Sequence, residues 1–327
     1  MSRAPMFCIV RFSATAIGLV AASALAASDP PCHGRVDDRM ACAQCHKAVH
    51  EEWRQSAHAR AFSDPHFQKA LLQRAEPERC VPCHAPQSAL DRLGQMPRAR
   101  EDQREHGVDC RACHVRGDTV HGPDGATTDA HATVKDPTFR GSGSVALCVS
   151  CHDMRIADVL PLGREFRAAH QEDDADATCV SCHMESVRRV NAEDPKTGAP
   201  VGEARAGRSH ALLGPSDAEF CASAFSFELV RAGKGPELVL RSGAGHGVPG
   251  LARIRSFPMR IQLLSKSGAV LREESVTFSW QNRLLADEER RWALPATSGA
   301  VALRVRVDHI FADQKPTTVV DRTWELP

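Results

Sequence analysis

Cys42-Ala43-Gln44-Cys45-His46, Cys80-Val81-Pro82-Cys83-His84, Cys110-Arg111-Ala112-Cys113-His114, Cys148-Val149-Ser150-Cys151-His152 and Cys179-Val180-Ser181-Cys182-His183 are five copies of one pattern, C-x-x-C-H. Two thiols three positions apart fall on one helical face. They can bond the two vinyl groups of a single porphyrin, and the His that follows reaches the iron from the proximal side. The pattern is the attachment signature of c-type haem. Five covalent haem c groups are therefore expected, tethered by the ten motif cysteines, with His46, His84, His114, His152 and His183 as iron ligands. A zinc ribbon pairs two C-x-x-C knuckles per ion, which strands one of the five and leaves the fixed His unexplained. A thioredoxin-like dithiol needs a βαβ pattern, and none is visible.

The motifs dictate the fold around them. First cysteines at 42, 80, 110, 148 and 179 give spacings that alternate 38, 30, 38 and 31. About 140 residues carry five porphyrins, too thin a chain to isolate each macrocycle, so neighbouring haems must lie close. Haem faces then stand in for an aromatic core, in keeping with 5% aromatic content. The longest helix is expected from Cys42 to Ser63, with Ala48, Trp53, Ala57 and Ala61 spaced for one face. Pro and Gly interrupt most of the remainder.

After Cys182-His183 the pattern changes: no haem motif follows, and residues 191–208 are rich in Gly, Pro, Ala and charge. Beyond them Phe257, Met259, Ile261 and Leu263 alternate with Arg260 and Gln262. Val301, Leu303, Val305 and Val307 alternate with Arg304, Arg306 and Asp308. Period 2 with polar residues outward reads as half-buried antiparallel strand. Further segments near 222–230, 236–241, 270–280 and 317–324 bring the expectation to about six strands. The fold class is α+β: a mostly helical and loop multihaem domain with little regular structure, then a small antiparallel β-sandwich. The expected organisation is a signal peptide over 1–27, a pentahaem domain over 28–190, a linker over 191–214 and a β-sandwich-like domain over 215–327. Nothing in the last part marks a nucleophile, a phosphate loop or a metal cluster, so it reads as a structural cap or docking surface.

Arg3 and Arg11 lie in or at the edge of a short positive region that precedes an apolar run, Phe12 to Ala26, ending in Ala24-Leu25-Ala26. This fits an export signal cleaved near Ala26, and the run is shorter than a spanning helix requires. A periplasmic or otherwise exported location is expected, with no integral membrane span after cleavage. Cys8 would leave with the signal. The two cysteines then left outside the motifs, Cys32 and Cys221, are either a disulfide in an oxidising compartment or two buried thiols. Lys+Arg and Asp+Glu stand at 41 each, so bulk charge does not call for nucleic acid or an anionic membrane surface.

Eleven histidines lie outside the motifs: His33, His50, His58, His66, His106, His121, His131, His170, His210, His246 and His309. They are the candidates for the second axial position on each iron. His246 lies in Gly243-Ala244-Gly245-His246-Gly247-Val248-Pro249-Gly250, a glycine loop that brings backbone close to its neighbours. Met154 and Met184 follow motifs too directly to reach the same iron from the other face.

Several of these segments resemble the cytochrome c-554 family of multihaem cytochromes. The resemblance rests on the first motif followed by Trp53-x-x-Ser56-x-His58-Ala59, on Gly107-Val108-x-Cys110, on Cys182-His183-Met184, and on Ser209-His210 with Leu213-Gly214. It covers roughly residues 40 to 265. It implies His58, His121, His131, His170, His210 and His246 as distal ligands, six for five positions, and a β-rich carboxy-terminal domain. The glycine loop departs from the family in having Gly250 directly after Pro249, and the residues after His114 lack the family's Gly-Pro-Gly turn.

Three functions compete. Closely spaced, ligand-saturated haems relay single electrons between redox partner proteins, which needs no catalytic residue. An enzyme acting on a small nitrogen or sulfur compound needs one open iron. Against it, no C-x-x-C-K motif is present, and the absence of any Tyr excludes a tyrosine-crosslinked haem. The third is assembly, in which the β domain docks the haem module into a membrane complex or a homo-oligomer. It can coexist with the first.

Overall fold

The computed structural model describes residues 41–127, 130–155, 160–170, 177–232, 235–251 and 253–326. The segment expected to be a signal peptide, its expected cleavage point, Cys8, Cys32 and His33 lie outside the described residues, as does any bond between Cys32 and Cys221. Cys32–Pro327 form one compact unit. No helix among the described residues is long and apolar enough to cross a membrane.

The haem-motif region is a run of short helices: α1 (Lys47–Gln55), α2 (Pro65–Leu72), α3 (Val81–His84), α4 (Cys110–His114), α5 (Gly141–His152), α6 (Leu162–Ala169) and α7 (Cys179–His183). A small sheet interrupts them, made of β1 (Val115–Arg116), β2 (Thr119–Gly122), β3 (Ala126–Thr127) and β4 (Ala132–Lys135), in the order β1-β2-β4-β3. Two ribbons follow. β5 (Ser186–Arg189) pairs with β8 (Arg205–Arg208), and β6 (Ala192–Glu193) with β7 (Pro200–Val201).

The helix expected over 42–63 is broken. α1 ends at Gln55 because Ser56 turns extended at ψ 162° and its buried hydroxyl accepts from the Ala59 amide at 3.3 Å. The turn beyond it is clamped from residues 107 and 108. The Val108 amide donates to the His58 carbonyl at 2.9 Å, and the Trp53 indole donates to the Val108 carbonyl at 2.7 Å. Gly107 sits at φ +60°, and a Cβ there would run into the His58 carbonyl. Glycine is required on both counts.

A buried ion pair organises the stretch before α4. Arg100 and Asp109 are 2% and 1% exposed at their side chains and 3.0 Å apart. The same guanidinium donates to the carbonyls of Pro86, Asp102, Gln103 and Gly107. Asp109 in turn caps α4 by accepting from the Ala112 amide at 3.1 Å. A buried charge is tolerable only with this degree of pairing.

Residues 191–214, expected as a linker, pack onto the first haem motif. The Glu193 amide donates to the Cys45 carbonyl at 2.9 Å, and Lys47 pairs with Glu193 at 3.0 Å. The polar composition reflects exposed ribbons rather than a free tether.

The carboxy-terminal part follows a short helix, α8 (Ala218–Ala222), and is a sandwich of two antiparallel sheets. One sheet holds β9 (Phe225–Ala232), β10 (Gly235–Ser242) and β13 (Glu289–Ala293), in the order β13-β10-β9. The other holds β11 (Arg255–Ser265), β12 (Val270–Phe278), β14 (Ala300–Phe311) and β15 (Thr317–Glu325), in the order β12-β11-β14-β15. Six of these strands fall on the expected segments. β13, Glu-Arg-Arg-Trp-Ala, is an edge strand whose inward positions are Arg290, over the Phe278 ring, and Trp292, so a single apolar residue marks its buried face. Register is set by the apolar set: Met259 faces Val307, Ile261 faces Val305 and Leu263 faces Leu303, all at 4% exposure or less. On the outer face Arg260 lies opposite Arg306, and Asp308 between them binds both.

The cluster of buried apolar side chains draws wholly on residues from Cys221 onward. Buried apolar residues of the motif region are mostly small and scattered, such as Ala85, Ala89, Ala112 and Val145. A region of this size without its own apolar cluster needs another filling, since burial is the main driving term in folding.

Candidate haem-binding site

Each motif occupies about one helical turn, which places its two thiols and the following imidazole on one side of the backbone. Four of the motif histidines donate Nδ1–H to a backbone carbonyl: His46 to Asn191 at 2.7 Å, His84 to Ala61 at 2.5 Å, His114 to His121 at 2.8 Å and His183 to Leu213 at 2.6 Å. This bond selects the tautomer whose Nε2 lone pair is free for a metal, and it holds the ring in one orientation.

Four motif histidines also face a second imidazole across a gap. Ring centroids are 6.2 Å apart for His46 and His131, 6.1 Å for His58 and His152, 6.1 Å for His114 and His210, and 6.2 Å for His183 and His246. These gaps are too wide for direct packing. One metal between two imidazoles needs two bonds of about 2 Å plus about 1 Å from nitrogen to ring centre on each side, or about 6 Å in all. The four gaps match that requirement, and the residues therefore fit axially ligated iron. Burial lowers the pKa of His58 to about 4, of His152 to about 3 and of His210 to about 4. The rings are thus neutral bases, the form that binds metal.

His84 is different. The Phe67 ring from α2 stacks on it at 3.6 Å with planes 6° apart, and among the described ring contacts no second imidazole faces it.

The structure separates the six expected distal histidines. His58, His131, His210 and His246 lie opposite motif histidines. His121 does not: its Nδ1 meets Asp136 Oδ2 at 2.9 Å, and its carbonyl is the acceptor for His114. Its place on β2 directs the backbone, rather than the imidazole, at the motif. His170 caps the end of α6 against Phe166, 4.4 Å between centroids, and a Cβ at Gly245 would come within 2.6 Å of its Nε2. Of the remainder, His50 packs on Trp53, His66 on Phe311, and His309 accepts from Arg255. Sequence reasoning missed Phe67, which carries no motif and is recognisable only by its stacking.

The glycine loop is tight for a visible reason. A Cβ at Gly245 would crowd Phe166 at 3.1 Å, and one at Gly247 would meet the Arg283 guanidinium at 2.5 Å. The loop therefore runs in backbone contact with α6 on one side and the sandwich on the other.

The motifs adjoin one another. The side chains of Cys42 and Cys110, of Cys83 and Cys151, and of Cys148 and Cys179 are neighbours in pairs. The first motif thus lies beside the third, the second beside the fourth, and the fourth beside the fifth. Cys182 is exposed while the other nine motif cysteines are half-buried.

Comparison with known proteins bears on the motifs and the fold. The family described as cytochrome c554 and c-prime matches residues 41–115. Cytochrome c-554 of Nitrosomonas europaea is 30% identical over 128 residues, which is 33% of this chain and 51% of that protein. The chain thus spans about half the length of the curated relative it matches. A penta-heme cytochrome c552 from Thermochromatium tepidum superposes with a TM-score of 0.62 at 17% identity, over 90% of this chain and 100% of that one, a likeness of fold. Haem c is the group these motifs take, and the chain is a multihaem c-type cytochrome that resembles the cytochrome c-554 family.

Proposed function

We propose that this chain is an exported pentahaem electron carrier that passes electrons between redox partner proteins. The observation that carries the reading is the set of four imidazole pairs at 6.1–6.2 Å. In this reading the ten motif cysteines form thioethers and the five motif histidines are proximal ligands. His131 serves the first iron, His210 the third, His58 the fourth and His246 the fifth. Haem c, when bound, supplies a one-electron couple whose surroundings change little on reduction when both axial ligands are imidazole.

The chain's own contribution is placement. Nδ1 bonds hold four of the proximal rings, the distal rings are half-buried, and adjoining motifs keep neighbouring sites close enough for short transfers. The haem-bearing part extends through residue 214, because the ribbons of 186–208 and His210 belong to it. Residues 215–327 form the sandwich, which supplies His246 and so does more than cap the module. Its surface is where docking to a membrane complex, or self-association, would be sought.

Mass spectrometry of the exported protein tests the count: five porphyrin adducts are expected, and fewer would overturn it. Spin state tests the axial assignment. Four of every five irons are expected to be low-spin in the oxidised protein.

A second reading attaches to His84. Its ring stacks on Phe67, and among the described ring contacts no imidazole faces it, so the second iron is the position where a small molecule would bind. Chemistry on a small nitrogen or sulfur compound would be located there.

A further inference from the structure

Two of the four facing histidines, His210 and His246, come from beyond the last haem motif, and both are gripped in the same way. At His246, Arg283 and Glu165 form a two-pronged ion pair, Nη1 to Oε1 at 2.5 Å and Nη2 to Oε2 at 2.7 Å. Glu165 Oε2 also accepts the Gly247 amide at 3.1 Å. Arg283 donates to the Gly247 carbonyl at 2.8 Å and to the Pro249 carbonyl at 3.0 Å. The fork therefore closes on the backbone on the carboxyl side of His246.

At His210 the elements differ and the pattern repeats. Arg189 and Glu52 form a two-pronged pair, with Nη2 to Oε2 at 3.0 Å. Glu52 Oε2 accepts the His210 amide at 2.8 Å, and Arg189 Nη2 donates to the Arg208 carbonyl at 3.3 Å. That carbonyl also receives His210 Nδ1 at 3.1 Å. In both places a carboxylate takes a backbone amide at or beside the distal histidine while its arginine takes a neighbouring carbonyl.

We infer that the Glu165–Arg283 and Glu52–Arg189 forks are positioning devices that hold His246 and His210 at ligand distance from the fifth and third irons. The inference rests on the axial assignment proposed above. Its physical basis is that the two histidines sit on segments whose own secondary structure does not hold them. His246 lies in a glycine loop, and glycine backbones lose the most entropy on ordering. His210 lies just past an edge strand. A planar, bidentate guanidinium–carboxylate pair fixes direction as well as distance, and in each case it ties the ligand to a helix of the motif region: α6 for His246 and α1 for His210. Arg283 belongs to the sandwich, so the attachment of that domain and the ligation of the fifth iron are one structural event.

The test uses holoprotein and reads spin state. His246→Ala is the reference and should convert about one-fifth of the iron to high spin. Arg283→Met should produce the same high-spin fraction, with added imidazole returning it to low spin. Arg283→Lys, which keeps the charge and loses the fork, should fall between. Glu165→Gln is isosteric and decides the matter should Arg283→Met fail to fold. Arg189→Met should do at the third iron what Arg283→Met does at the fifth, and its fraction should match that of His210→Ala. A folded Arg283→Met and Glu165→Gln that stay low-spin, beside a high-spin His246→Ala, would overturn the inference. So would a high-spin fraction that imidazole leaves unchanged, because that signals general disruption. A silent His246→Ala would instead remove the axial assignment itself.

Discussion

His183 and His246 lie with ring planes 4° apart and centroids at 6.2 Å, one on helix α7 of the motif region and the other in a loop leading into β11 of the sandwich. In the proposed assignment the sandwich supplies one axial ligand. Destabilising its core should therefore be felt at one iron. Leu303 is fully buried in β14, and Leu303→Ala should cost about 2–5 kcal/mol. On heating, loss of far-ultraviolet strand signal should coincide with a high-spin change of about one-fifth of the haem absorbance. Simultaneous conversion of all four low-spin irons would disprove independent control of the fifth site.

Gly107→Ala should act at a distance on the fourth iron. The added methyl would strike the His58 carbonyl, and the backbone there has positive φ, so the turn that carries His58 must move away from His152. One low-spin haem is expected to become high-spin, with the same spectrum as His58→Ala. An unchanged electron paramagnetic resonance spectrum would show that the turn is held by something other than the contact at residue 107.

The second iron should be the one that takes an added ligand. Carbon monoxide is expected to bind the reduced protein at one site per chain, with His84→Ala removing that site. Phe67→Ala should leave the stoichiometry at one while altering the binding rate. Binding of no carbon monoxide would place a sixth ligand on that iron. His121→Ala should add no high-spin iron, since among the described ring contacts no motif imidazole faces His121, which serves His114 through its main chain.

Arg100→Met should destabilise the protein by about 3–5 kcal/mol, because it leaves Asp109 charged and buried. Arg100→Lys should recover little, as a single ammonium cannot serve the four carbonyls and the carboxylate that the guanidinium meets. Chemical denaturation followed by haem absorbance checks both, and a Lys variant as stable as the parent would count against the network.

His309 predicts part of the acid response of the sandwich. Burial first, and then the charge of Arg255, lower its pKa to about 4, below the ordinary value of about 6.5. The unfolded chain therefore binds its proton more readily, and stability is present in full above about pH 6.5. It declines as pH falls from there through about 4. His309→Gln should flatten the stability profile in that window, measured by denaturation at a series of pH values. A profile of unchanged slope would mean that His309 does not contribute.

What could be read from the chain, and what could not, divides by the range of the interaction. Haem attachment is local: two thiols and an imidazole within five residues meet one porphyrin because a single helical turn brings them together. The strands of the sandwich are local too, since period 2 shows which face is buried. Even β13 is missed for a local reason, because one of its two inward residues is Arg290 and hides the period. Distal ligation is another matter. His210 and His170 both precede glycine-containing or polar stretches and look alike as sequence, but only His210 is drawn across to a motif histidine, by Glu52 from helix α1. His121 has a comparable position, yet among the described ring contacts no motif imidazole faces it, and its carbonyl rather than its ring meets His114. A second axial ligand depends on which distant segment closes the far side of each iron. That is decided by packing between elements, through contacts such as Arg283 with Glu165, and no spacing along the chain encodes them.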